Sequence, residues 1–112
     1  MINQQGYDIG YVKGDILLDL HTAVRELPFS DYWGNSQHKN IASLNMQMLS
    51  CEDMLMHLCL HIYRHLQTFI LLGGLSITEL IKFYDIVLLL RKFRDEINWS
   101  YIIQTGKDSS SE

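Results

Sequence analysis

An α+β fold is predicted for this chain of 112 residues, with strands first and helices after. Three observations predict it. Around Gly14-Asp15 the side chains alternate with the period of a strand. From Cys51 onward the apolar residues recur at helical spacing, in two long runs separated by Gly73-Gly74. The apolar share, 47%, with a single proline, is enough for a packed core and too high for a disordered chain.

The hairpin comes first. Tyr7, Ile9 and Tyr11 alternate with Asp8, Gly10 and Val12, Gly14-Asp15 supplies the turn, and Ile16 to Val24 is rich in branched and apolar residues. A two-residue turn sets Lys13 against Ile16, Tyr11 against Leu18 and Ile9 against Leu20. In that register one face is almost wholly apolar. The other carries Val12, Leu17, Asp19 and His21, with Gly10 opposite Asp19, so the carboxylate and the imidazole stand side by side. A slip of one residue would reverse the faces. Leu27 to Asn40 reads as irregular, and Leu44, Met46 and Met48 alternate as a short strand.

The helical part follows. Ser50 with Asp53 resembles a capping box and opens a helix from Cys51 to about Ile70, along Leu55, Leu58, Ile62, Leu66 and Phe69. Gly73-Gly74 ends it. Ser76 with Glu79 opens a second helix to about Arg94. It is apolar nearly all round, which marks it as central. Asn98 caps a short third helix that stops near Gly106. The chain therefore divides as one whole or partial domain over 1–112, with the hairpin and loop in 1–49, the helices in 50–106 and a disordered tail in 107–112.

Charge and compartment exclude several classes. Nine basic and thirteen acidic residues give a net charge of −4, which argues against a broad nucleic-acid surface. The first ten residues lack the basic-then-apolar pattern of a signal peptide. Phe69 to Leu90 is broken by Glu79, Lys82 and Asp85, so no membrane span is expected. Cys51 and Cys59, eight apart on one helix, place their Cα atoms roughly 12 Å apart, beyond disulfide reach. These features predict a cytoplasmic protein with reduced thiols.

Three groups of side chains are candidates for chemistry. His57, His61 and His65 are four apart and form one stripe beside the apolar line of Leu58, Ile62 and Leu66. They either edge the core, line a substrate site, or chelate a metal, for which a pair at i and i+4 suits zinc but needs further ligands. Asp85 inside the apolar helix either faces water or pairs with one of these histidines, raising its pKa. Asp19 and His21 are either a surface pair or part of a site.

A resemblance bears on the last choice. The runs Leu18-Asp19-Leu20-His21, Leu49-Ser50-Cys51-Glu52-Asp53-Met54-Leu55-Met56-His57-Leu58-Cys59-Leu60-His61, Tyr84-Asp85-Ile86 and Ile97-Asn98-Trp99 resemble, in order and spacing, the bacterial uncharacterised nucleotidyltransferase family. The likeness is to the C-terminal two thirds of that family's domain, with Cys51 where the family often has proline. It implies the DNA-polymerase-β-like nucleotidyltransferase superfamily. There a Gly-Ser turn followed by two carboxylates binds divalent metal, and a third carboxylate on a neighbouring strand completes the site.

The resemblance puts Asp19 in the place of the third carboxylate, as catalytic residue and Mg²⁺ ligand, with His21 beside it. It makes the hairpin a remnant of the family's sheet, and His57, His61, His65 and Asp85 are the candidates for lining a substrate. The reaction implied is transfer of a nucleoside monophosphate from NTP to a hydroxyl acceptor. No Gly-Ser…Asp-x-Asp motif occurs in the sequence, and Ser30-Asp31 and Gly14-Asp15 lack its strand-turn-helix context. The chain alone is therefore not expected to be a competent enzyme. NTP and acceptor are its partners when the missing part is supplied. The alternatives are a non-catalytic helical interaction module, including a homodimer formed through an exposed sheet edge, and a His-based metal-binding protein.

Overall fold

The computed structural model describes residues 2–5, 8–21, 23–24, 27, 30–74 and 77–110. Strands β1 (Ile2–Gln5), β2 (Asp8–Lys13) and β3 (Ile16–His21) form an antiparallel sheet in sequence order. A single-turn helix, α1 (Tyr32–Asn35), precedes a separate hairpin of β4 (Gln37–Ile41) and β5 (Leu44–Met48). Helices α2 (Cys51–Leu72), α3 (Ile77–Phe93) and α4 (Trp99–Ser110) complete the described elements.

The register of β2 on β3 is the one the turn chemistry predicts. Lys13 pairs with Ile16, Tyr11 with Leu18, Ile9 with Leu20 and Gly10 with Asp19. Gly14 takes φ 59, the positive region that a two-residue hairpin turn demands at its first position. The strand ends at His21, and Ala23 already bends away, so the extended reading to Val24 is too long. The pattern at Tyr7 falls outside the described residues. β1 pairs with the far side of β2, leaving β3 as an edge strand.

The segment 37–41 is a strand, not irregular chain. It pairs with β5 from Ile41–Leu44 out to Gln37–Met48. The sequence hides it because the connecting pair is Ala42-Ser43, with φ 48 and 67, where Asn-Gly would have announced a type I′ turn.

In the helical half the boundaries follow local chemistry. Ser50 Oγ accepts from the backbone N–H of Asp53 at 3.1 Å, and Gly73 closes α2 in the left-handed conformation with φ 95. The cap expected of Ser76 lies outside the described residues. Asn98 Oδ1 accepts from Tyr101 N at 3.1 Å and starts α4.

That helix does not stop at Gly106. It runs on to Ser110, so residues 107–110 are helical and not a disordered tail. A mid-helix glycine costs only about 1 kcal/mol. Gln104 Nε2 donates to Asp108 Oδ1 at 3.0 Å, and Ser109 and Ser110 hydroxyls donate to the carbonyls of Gly106 and Lys107.

The α+β class stands. Extended packing pairs α2 with α3 and α2 with α4, while the strands pair with one another. All six residues of β3 are exposed, on both faces. The core of the described residues is Leu27, Leu55, Ile62 and Ile97, set where α2 meets the flanking chain. Helix α3 is not the central element that its all-round apolar sequence predicts. Only one of its sides meets α2, and Ile77, Leu80, Ile81, Tyr84, Val87 and Leu88 on the opposite side are exposed.

Non-glycine residues in the left-handed region are strained. Replacing Ala42-Ser43 by Asn-Gly is therefore expected to raise the unfolding free energy by about 1 kcal/mol, read as a higher urea midpoint at unchanged slope.

Candidate functional site

Three clusters result from this architecture. The first is on β3. Asp19 and His21 project from the same face of this edge strand, Asp19 across from Gly10 and His21 across from Asp8. Both are exposed. Gly10 presents no side chain opposite the carboxylate. His21 also borders a recess of about 220 Å³, walled by Tyr32, Trp33, Gln47 and Met48 among others.

The second cluster is the imidazole row of α2. The rings of His57 and His61 are 5.6 Å apart and those of His61 and His65 are 4.3 Å apart, and Phe69 continues the row at 6.4 Å. All three histidines are half-buried, at the margin of Leu58, Ile62 and Leu66. From α3, Lys82 reaches the row, its Nζ lying 3.3 Å from His65 Nδ1 and 3.7 Å from the carboxylate of buried Glu79. An ammonium has only donors, so Nδ1 of His65 accepts here. Asp85 is exposed, the water-facing alternative of the two the sequence leaves open. Among the described residues, no group of three or more His, Cys, Asp and Glu side chains converges as a metal site.

The third cluster is one that sequence reasoning misses. Asp53 is fully buried, and its Oδ1 accepts from Ser30 Oγ at 2.6 Å and from Tyr101 OH at 2.8 Å. Ser30 Oγ and Tyr101 OH are 2.8 Å apart because both converge on one oxygen. Asn35 Nδ2 donates to the same phenol at 3.2 Å. Oδ2 has no hydrogen-bond partner among the described residues.

In a capping box the third helical side chain reaches back to the cap. The aspartate here is a methylene shorter than the usual glutamate, and it turns instead to residues 23 and 48 positions away. The signal in the sequence was that shortened box. Its partners carry no local pattern. Beside this hub lies a polar recess of about 240 Å³ lined by Asn35, Gln37, Ser50, Glu52, Asn98 and Tyr101.

Comparison with known families places these clusters in context. The family model described as an uncharacterised nucleotidyltransferase matches residues 3–110. The chain belongs to this nucleotidyltransferase family. Searches of curated proteins and of solved structures return no match. Membership supports a general nucleotidyltransferase-like function. The match takes in all three clusters, from the Asp19–His21 strand to Tyr101.

The Mg²⁺ that the sequence resemblance implies takes a near-octahedral shell of oxygens, with one or two carboxylates beside the phosphates. Asp19 offers one exposed carboxylate, with an imidazole as its neighbour. That donor set does not by itself fit the ion. Among the described residues, no helix is long and apolar enough to cross a membrane.

Electrostatics distinguish the two residues that open α2. Burial alone would raise the Glu52 pKa. The N–H of Asn98, which donates to Oε1 at 2.8 Å, and further hydrogen bonds from its own backbone, Cys51 and Ser50 outweigh burial and hold it below the usual glutamate range. Burial pushes the Cys51 thiol up to about 11, with the Glu52 carboxylate as acceptor and as like charge adding to the rise. Burial also raises Cys59. Both cysteines are free thiols, as their spacing predicts.

Breaking the hub is expected to destabilise the fold, Asp53→Ala by about 3 kcal/mol and Tyr101→Phe by about 1–2 kcal/mol in urea titrations. A Ser30→Ala/Tyr101→Phe cycle is expected to be non-additive, because both hydroxyls share one oxygen.

Glu52 has a depressed folded pKa, so its stabilisation is complete above the unfolded value of about 4.3 and is lost as pH falls through the folded value. The advantage of wild type over Glu52→Gln is therefore expected to fade in melts taken on the acid side of that value. Cys51 is expected to resist iodoacetamide at neutral pH, and Glu52→Gln to speed its alkylation.

Proposed function

We propose that this chain contributes Asp19 and His21 to a nucleotidyltransferase active site whose other two carboxylates lie outside its sequence. The reaction is transfer of a nucleoside monophosphate from NTP to a hydroxyl acceptor. The acceptor oxygen forms a bond to the α-phosphorus, the bond to the departing pyrophosphate breaks, and the acceptor proton passes to the Asp19 carboxylate. His21, two residues on along the same face, hydrogen-bonds the phosphate or the acceptor. His57, His61, His65 and Asp85 are the substrate-lining candidates on the helical side. Mg²⁺ and NTP are held only when the two missing carboxylates are supplied.

The observation that carries this reading is the family match over residues 3–110, together with the position of Asp19 on an edge strand. An edge strand has one row of backbone donors and acceptors available to another strand. A strand added there would set its own side chains about 5 Å from Asp19. That spacing suits carboxylates sharing divalent metal.

A second reading is a non-catalytic interaction module that covers the same edge by homodimerisation. The exposed apolar residues on both faces of β3, among them Ile16, Leu17 and Leu18, favour it. A histidine-based metal protein is the third reading.

Calorimetry separates them. Titration of the chain with Mg²⁺-ATP is expected to give no saturable heat. Micromolar binding abolished by Asp19→Ala would overturn the incomplete-site reading. Tight Zn²⁺ uptake lost in His57→Ala/His61→Ala would favour the third. Mixed with a polypeptide bearing a Gly-Ser turn and an Asp-x-Asp pair, the chain is expected to restore pyrophosphate release. Asp19→Ala is then expected to cut that release by about 100-fold or more, and undiminished release would remove Asp19 from the chemistry.

A further inference from the structure

Helix α3 carries two apolar faces, and only one of them is occupied. Glu79, Lys82, Ile86, Leu89, Leu90 and Phe93 recur at steps of three and four and form the side that is buried or half-buried. At 100° per residue, Ile77, Leu80, Ile81, Tyr84, Val87 and Leu88 fall on the opposite side. These residues are exposed, from 76% for Ile77 and 60% for Tyr84 to 43% for Val87. Ile77, Ile81, Tyr84 and Leu88 follow one another at intervals of four, three and four, the spacing by which one helix seats its side chains between those of another.

We propose that this outer stripe of α3 is a homodimer interface, in which the same stripe of a second copy of the chain packs across it. Two features argue for a second copy. The first is self-complementarity. In a two-fold pairing each residue of the patch must meet the patch itself, and every position from Ile77 to Leu88 on this face is apolar, so no layer sets a charge against a side chain of the partner. Asp85 and Lys92 flank the stripe, and Arg91, three positions beyond Leu88, ends it with a charge.

The second is area. The six side chains leave roughly 600 Å² open, at the upper limit of the apolar patches that monomers expose. Two such stripes give about 1,200 Å² across the pair, the lower bound of a stable interface. Ile70, Leu71 and Leu72 at the end of α2 are exposed as well and enlarge the apolar surface of the chain. The dimer is independent of the nucleotidyltransferase reading and differs from a sheet-edge dimer, since β3 takes no part in it.

Sedimentation equilibrium of the chain tests the proposal. Wild type is expected at twice 13.1 kDa at micromolar concentration. Tyr84→Glu and Leu88→Glu are expected to raise the dissociation constant by roughly 100-fold or more, with helical circular dichroism unchanged because both positions are exposed. Leu18→Glu on β3 is expected to leave the dimer intact. Should the glutamate variants unfold, Tyr84→Ala/Leu88→Ala keeps a strong helix former at both sites and decides the question by the same measurement. A monomeric wild type, a dimer that survives these substitutions, or a dimer lost in Leu18→Glu would overturn the proposal.

Discussion

One buried oxygen holds the helical half to the chain before it. Asp53 Oδ1 gathers the hydroxyls of Ser30 and Tyr101, so the loop after Leu27, the start of α2 and the first turn of α4 meet at a single acceptor. Glu52, the preceding residue, fixes the backbone of Asn98, and Asn98 in turn caps the helix that carries Tyr101. Stripping one partner from a buried carboxyl oxygen costs more than the bond itself contributes. With Leu27, Leu55, Ile62 and Ile97 as the buried apolar side chains, this polar junction has a large share in fixing the arrangement.

The remainder of the molecule is thinly covered. The radius of gyration is 16.0 Å, against about 13 Å for a compact domain of this length. The excess has two visible sources, a sheet whose edge strand is exposed on both faces and a helix packed on one of its two apolar sides. Both surfaces have the composition of an interior. They are where physical chemistry calls for a neighbour, the strand for another strand and the helix for another helix.

The chemistry divides along the same line. Asp19 and His21 stand on the exposed strand, and among the described residues no group of three or more possible ligands converges there. The imidazoles of α2 lie in a half-buried row whose end is set by Lys82, and Asp85 faces outward. The family match spans both clusters.

The hairpin register, the start and end of α2, the cap of α4 and the free thiols were all legible in the sequence, because each is decided within a few residues by turn chemistry, capping or helical spacing. The pairings of Asp19 with Gly10 and of Ser50 with the N–H of Asp53 are of this kind. The second hairpin was not legible, since Ala42-Ser43 adopts a turn that its residue types disfavour and only the pairing of β4 with β5 enforces. The hub at Asp53 was not legible either, because Ser30 and Tyr101 are far from it in the chain and no periodicity relates them. Helix α3 is the sharpest case. Its sequence specifies two apolar faces, but which face is filled depends on which neighbour arrives, and packing against α2 selected the side of Glu79, Lys82 and Ile86 and left the other open.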